Sequence, residues 1–378
     1  MHGRRPPQPR RPRGSPGYLS GRTRSATLRR HRRRPTLAPR PIRRYSIVTP
    51  NTPAPPSFRS LPDLAVRTLG GAVVWANDEL FAERENLIRP TAAVYQPATF
   101  GHKGQIYDGW ETRRRRIAGT DEAIVRLGVP GVIRGVVVDT AWFTGNYPPE
   151  ISVEAAAIDG YPSADEVVGA QWTTIVGRSP VRGDTENPFP VDSERRWTHV
   201  KLTLYPDGGV ARLRVHGEGR PDLHFLDAGP VDLAALENGA RVTCCSNMFY
   251  GSPQNMLLPG SARVMGDGWE TSRRRDDNND WVEILLAAQG IVSLAELDTS
   301  YFLGNAPGEA SIQGRDGDGD WVELLPRTRL QPDTRHRFVV DSDQPVTQAR
   351  LDIFPDGGMA RLRLWGSLTE AGRAGLRS

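Results

Sequence analysis

The chain has 378 residues, 38% of them hydrophobic, a formal net charge of +5 and two cysteines. That length suits two cores of ordinary domain size, no stretch approaches the 18 apolar residues of a spanning helix, and the adjacent pair Cys244–Cys245 offers neither a disulfide framework nor a cysteine metal site. The charge is uneven: residues 1–60 hold 16 arginines and no Asp or Glu, which leaves 33 basic against 44 acidic residues in an acidic remainder.

Residues 1–60 are rich in Arg, Pro, Ser and Gly and too poor in apolar residues to offset the entropy of ordering, so a disordered extension is expected there. A nucleic-acid-binding arm would interleave more aromatics than Tyr18 and Tyr45, and the prolines oppose the amphipathic helix of a transit peptide. Neither nucleic acid nor a membrane is therefore expected as a partner. Unpaired cysteines point to a reducing, cytoplasmic setting.

Ordered sequence is expected from Leu61. NDELFAEREN (77–86) carries the acidic cluster Asp78, Glu79, Glu83 and Glu85 and suits a short helical turn. GHKG (101–104) places His102 and Lys103 in a loop. DGWETRRRR (108–116) sets Glu111 before Arg113 and Arg114. GVIRGVVVDT (131–140) reads as a strand buried on both faces, ending in the polar pair Asp139–Thr140 and the turn Gly145–Asn146. EISVEAAAI (150–158) alternates, with Ile151, Val153, Ala155 and Ala157 on one side. HVKLTLYPDGGVARLRV (199–215) predicts a hairpin turning at Pro206-Asp207-Gly208-Gly209. Arg212 and Arg214 then share a strand face opposite Leu213 and Val215, either solvated or forming a cationic floor. RPDLHFLDAGPVDLAAL (220–236) reads as a joint, with a second helical turn near 229–237.

Beyond it the chain says the same things again. DGWETSRRR (267–275) returns 159 residues after its first copy, DTSYFLGN (298–305) 159 after DTAWFTGN, and IFPDGGMARLR (353–363) 149 after LYPDGGVARLR. SNMFYGSPQN (246–255) is a weaker copy of 77–86 at a separation of 169. A period of about 150 residues is a duplicated domain rather than a solenoid unit. The expected organisation is an extension over 1–60, a first unit over 61–222 and a second over 223–378. Each is mainly strand with long loops, so the fold class is all-β, two β-sandwiches in tandem.

The repeated polar residues are the candidate site: Glu111, Asp139 and Asp78 as acids and bases, with Arg113, Arg114, Thr140, Asn146, His102 and Lys103 around a substrate. A guanidinium can hold a carboxylate in a fork, and a positioned carboxyl can move a proton. Glu270, Arg273, Asp298 and Asn305 are the second-repeat counterparts. The second repeat loses the carboxylates of 78–85, which makes the first the better place for acid–base chemistry. No GxSxG, P-loop, HExxH or HxH motif is present. No metal set or cofactor is predicted, although a divalent metal held by separate loops is not excluded.

Taken together, NDELFAERENL, GHKG, DGWETRRRR, VVVDTAWFTGNYP, LYPDGGVARLRV and their second copies resemble the allantoicase family over residues 62–366. The resemblance implies two jelly-roll, galactose-binding-like sandwiches, hydrolysis of allantoate to ureidoglycolate and urea, and a homo-oligomer. For such a substrate, residue type assigns Arg113 or Arg114 to the carboxylate, Glu111 and Asp139 to the ureido groups and water, and Thr140 with Asn146 to orienting them. One departure is Asp121–Glu122, where the second repeat has the Asp280–Trp281 common in the family. The competing reading is a non-catalytic module of the same fold that binds a small polar ligand or glycan.

Overall fold

The computed structural model describes residues 57–377; the extension expected over 1–60 lies, up to residue 56, outside them. Each repeat is organised by one 19-residue strand, Asp121–Asp139 in the first and Asp280–Asp298 in the second. The first half of Asp121–Asp139 pairs with Ala72–Ala76 and Arg196–Tyr205. After a register shift between Arg126 and Gly131, its second half pairs with Glu186–Pro190 and Arg212–Gly219. The strand thus crosses from one layer of a sandwich to the other. The shift falls at Gly128 and Pro130, a point where the Gly128 backbone lies against Leu69 and Gly71. Asp280–Asp298 does the same with Arg241–Cys245 and Val346–Phe354, then Arg335–Val339 and Arg361–Leu368. The tandem all-β architecture expected from the sequence is present.

Period-two alternation supplies the core. Val200, Leu202 and Leu204 of one layer meet Ile133, Val136, Val138, Leu213 and Val215 of the other, all fully buried. Most buried apolar side chains of both repeats form one continuous cluster, and Phe302 with Ala262 and Ala360 forms a small separate one.

Four expectations need correction. Arg196–Tyr205 and Arg212–Gly219 are not hairpin partners; both pair with Asp121–Asp139 on different layers. Alternation identifies a half-buried strand but not its neighbour, and the Pro206–Gly209 segment is a crossover. Residues 220–236 are not simply a joint: Val231–Asp232 pairs with Trp365 and Gly366. Asp232 Oδ1 accepts from Leu364 N and Ala234 N as Asp63 Oδ1 does from Val215 N and Ala65 N, so PDLA and VDLA are matching openings of the two repeats. Ala157 is exposed, one residue beyond the end of its strand Glu150–Ala156.

Finally, Arg212 is neither solvated nor a floor. It is 1% exposed and forks onto Asp108, each carboxylate oxygen lying 2.9 Å from Nη2. Its remaining donors go to the carbonyls of Thr91, Asp108 and Ala211. A guanidinium can be buried because every face meets an acceptor. Burial pulls its pKa down against the Asp108 partnership, and Asp108, despite its own burial, is held below the usual carboxylate range by Arg212 and Val94 N. Arg212→Ala is expected to cost about 3–5 kcal/mol, because Asp108 keeps only the exposed Arg89 and Val94 N as partners, read as a lower urea midpoint; an unchanged midpoint would show that the pair adds nothing.

Candidate functional site

The polar ends of the long strands and the loops that follow gather at one end of each repeat. In the first, Phe143 turns inward and packs where a Cβ on Gly109 or Gly209 would lie 2.6 or 2.1 Å from its ring. Those two glycines let the loop after Asp139 sit against the Trp110–Glu111 strand. That two-residue strand pairs with Gly209–Val210, which follows the repeated PDGG turn. The seated loop delivers Asn146, whose Nδ2 donates to Glu111 Oε1 at 2.6 Å.

Glu111 is the most unusual group of the site. It is 8% exposed, and its Oε2 is fully buried with no hydrogen-bond partner among the described residues. Burial pushes its pKa up, offset in part by the Asn146 hydrogen bond. A carboxyl in that setting favours its protonated form and can act as an acid.

The other candidates are placed less uniformly. Asp78 and Arg113 face each other, Arg113 Nε lying 2.5 Å from Asp78 Oδ2. Burial opposes it, but hydrogen bonds from Leu80 N and Arg113 hold Asp78 below its ordinary pKa, so its proton is not available as an acid. Arg115 turns inward, its N–H on Asp207 and its guanidinium 3.5 Å from Asp121. Arg114 is exposed and has no ion-pair or hydrogen-bond partner among the described residues. Lys103 Nζ donates to Glu79 O at 2.8 Å and pairs with Glu83 at 3.0 Å, whereas His102 is open to solvent 3.8 Å from Glu83.

Asp139 is half-buried and accepts from Ala141 N at 2.9 Å. Burial, helped by nearby Glu186, raises its pKa. It is aligned with Arg212, three residues along the chain from the partner of Glu111, and does not touch Glu111. Thr140 is fully buried and its hydroxyl lies 2.6 Å from Arg182 O and 2.9 Å from Thr185 O. It anchors the 182–185 loop rather than facing a ligand.

The second repeat keeps the frame and changes the chemistry. Asn305 Nδ2 donates to Glu270 Oε1 at 2.6 Å, but Glu270 is half-buried. Asp298 accepts from Ser300 N at 2.9 Å and lies 3.7 Å from Arg335. Arg273, like Arg114, is exposed and unpartnered among the described residues. The Asp78–Arg113 ion pair is replaced by a neutral one: Asn247 Oδ1 accepts from Ser272 N at 3.0 Å and Nδ2 donates to Ser272 Oγ at 2.8 Å. Both members changed together, so the position keeps a contact and not a charge.

Among the described residues no group of three or more His, Cys, Asp and Glu could hold a metal ion. A cleft of about 660 Å³ between the repeats, lined by Asp63, Arg214, His216, Asn255 and Arg263, contains neither Glu111 nor Arg114. Its charges are already paired, Arg214 with Asp63 and Arg263 with Asp267, so the site is better placed at Glu111. Sequence reasoning overlooked Asp108, Arg212 as its buried partner, and Trp142. The last could have been noticed from the aromatic kept at 142 and 301.

Glu111 also links the site to stability. With its folded pKa above the unfolded value, the native state binds the proton more tightly, so stability falls as pH rises from the unfolded toward the folded pKa. Glu111→Gln is expected to be more stable than the parent at neutral pH, with the gain vanishing near pH ~4, the unfolded carboxyl range. Thermal melting across pH checks this; a gain that persists at acid pH would contradict it.

Known proteins place this arrangement in context. The allantoicase repeat family matches residues 62–220 and again 231–369. A protein of Nocardia farcinica named "Probable allantoicase" is 66% identical over 318 residues, covering 83% of this chain and 97% of that protein. A protein of the same name from Streptomyces coelicolor is 52% identical over 333 residues, covering 84% and 89%. The crystal structure of allantoicase from Saccharomyces cerevisiae superposes with a TM-score of 0.72 at 35% identity, covering 82% of this chain and 96% of that one. The chain belongs to the allantoicase family.

Proposed function

We propose that the protein is an allantoate amidinohydrolase, converting allantoate and water to (S)-ureidoglycolate and urea in purine catabolism. The relatives supply the reaction class. The observation that carries it into this chain is the buried Glu111, its pKa raised and its Oε2 unpartnered among the described residues, three positions before the exposed Arg114. Allantoate has one carboxylate and two ureido groups on a single carbon. Arg114 is the better partner for that carboxylate, since Arg113 is committed to Asp78.

Release of urea breaks a bond from the central carbon to a ureido nitrogen and adds hydroxide at that carbon. Protonated Glu111 gives its proton to the departing nitrogen, and Asn146 fixes the orientation of the carboxyl. Asp139, also raised in pKa, receives the proton of the attacking water once ionised. The first repeat is the working one, because the counterpart Glu270 is more open to solvent. Lys103 holds Glu83 and the Glu79 carbonyl, and His102 stands at the rim. A glycan-binding module is the weaker reading, given curated relatives at 66% and 52% identity over most of their length.

The same reading makes the protein a cytoplasmic homo-oligomer. Two free cysteines suit a reducing compartment, and exposed Phe249, Tyr250 and Leu303 offer apolar surface for assembly. Purified protein is expected to release urea from allantoate, and Glu111→Gln to lose about 10²–10⁴-fold in kcat while remaining folded. Folded wild type that releases no urea would reject the activity; an active Glu111→Gln would reject the role of Glu111.

A further inference from the structure

The residue after Ala141 is strained in the same way in both repeats. Trp142 has φ 70° and Tyr301 φ 71°, a left-handed conformation that bulky side chains rarely adopt. Each is held by an aspartate that is itself left-handed: Asp184 Oδ1 accepts from Trp142 N at 2.8 Å and Asp333 Oδ1 from Tyr301 N at 2.8 Å. The strain lets successive aromatics point in opposite directions. Phe143 and Phe302 enter the core, while Trp142 and Tyr301 stand 44% and 45% exposed. Strain kept where it presents an aromatic ring outward is a mark of function.

Only the first repeat locks that ring. Trp142 Nε1 donates to Ala93 O at 2.9 Å, and the Tyr95 ring stacks on the indole at 5.4 Å and 28°. Both partners lie on the segment between the first two motifs, which is ten residues longer in the first repeat because the separation drops there from 169 to 159. Tyr301 has no ring partner among the described residues. Trp142 stands four residues before Asn146, so their Cα atoms lie within about 14 Å. The loop that carries both is seated by Phe143 against the Trp110–Glu111 strand, so the ring and the carboxyl belong to adjoining elements.

We propose that Trp142, braced by Tyr95, is the platform on which a planar ureido group of the substrate stacks. This determinant of specificity rests on the allantoate reading and extends it. A ureido group is flat and delocalised, matches an indole face, and leaves its N–H groups and oxygen free in its own plane for polar partners. A rigid ring loses little freedom on binding, which is what the indole hydrogen bond and the stack secure beforehand.

The test uses Trp142→Gly, which removes the ring and suits the left-handed backbone, with Tyr301→Gly as the matched control. N-carbamoylglycine, carrying one ureido group and one carboxylate, is the binding probe. Trp142→Gly is expected to raise KM for allantoate and the calorimetric Kd of N-carbamoylglycine by about tenfold or more, with kcat changed less, while Tyr301→Gly matches wild type. Tyr95→Ala should weaken both in the same direction by a smaller factor. Unchanged KM and Kd in Trp142→Gly, or an equal loss in Tyr301→Gly, would overturn the proposal. Because the probe is not turned over, its Kd reads the platform even if allantoate hydrolysis fails.

Discussion

The site depends on one buried ion pair. Arg212 leaves the end of its strand and, with no water to satisfy it, must find an acceptor for each donor; it finds them on Asp108 and on the carbonyls of Thr91, Asp108 and Ala211. Asp108 in turn accepts from Val94 N and pairs with Arg89. One guanidinium therefore fixes both ends of the 91–108 segment to the sandwich. Glu111 lies three residues after Asp108, and Ala93 and Tyr95 lie just inside the other end. In the second repeat Arg361 takes only backbone carbonyls, and burial lowers its pKa to about 10. The matching Asp267 carboxylate turns to Arg263, and Arg363 adds hydrogen bonds to the carbonyls of Leu258 and Gly260.

Duplication explains why the two sites differ while the frame does not. The long strand, the inward phenylalanine and the Asn–Glu hydrogen bond recur at equal distance, 2.6 Å in each case. These contacts are needed to close each sandwich and cannot be relaxed in either copy. The charge of Asp78 and Arg113 is not needed for closure, and the second repeat replaces it with Asn247 and Ser272. The buried carboxyl, the longer 87–107 segment and the braced tryptophan occur in the first repeat. Most buried apolar side chains of the two copies share one continuous core.

Much of this was legible in the chain. The repeats, the all-β class and the strand ending at Asp139 follow from spacing and residue type, and Glu111 and Asn146, both singled out there, are in contact. The partners do not. Alternating residues at 200–204 and 211–215 mark two half-buried strands but are equally consistent with a hairpin and with two strands on opposite layers of the same sandwich. Arg212 carries the same letter as a solvated arginine, and only its acceptors, 104 and 121 residues away in sequence, show that it is buried. Thr140 resembled a pocket residue because it ends a buried strand, yet its hydroxyl is consumed by the 182–185 loop. The aromatic kept at 142 and 301 marked the position, but the left-handed φ that turns the ring outward leaves no mark in composition.

Burial raises the pKa of the Glu111 carboxyl, the proposed proton donor for urea release. The most direct test is kcat/KM for allantoate as a function of pH in the wild type and in Glu111→Gln. A declining alkaline limb in the wild type, absent from a low profile in the variant that keeps only the acid limb of Asp139, is the predicted result. An alkaline limb of the same position and height in both proteins would contradict it.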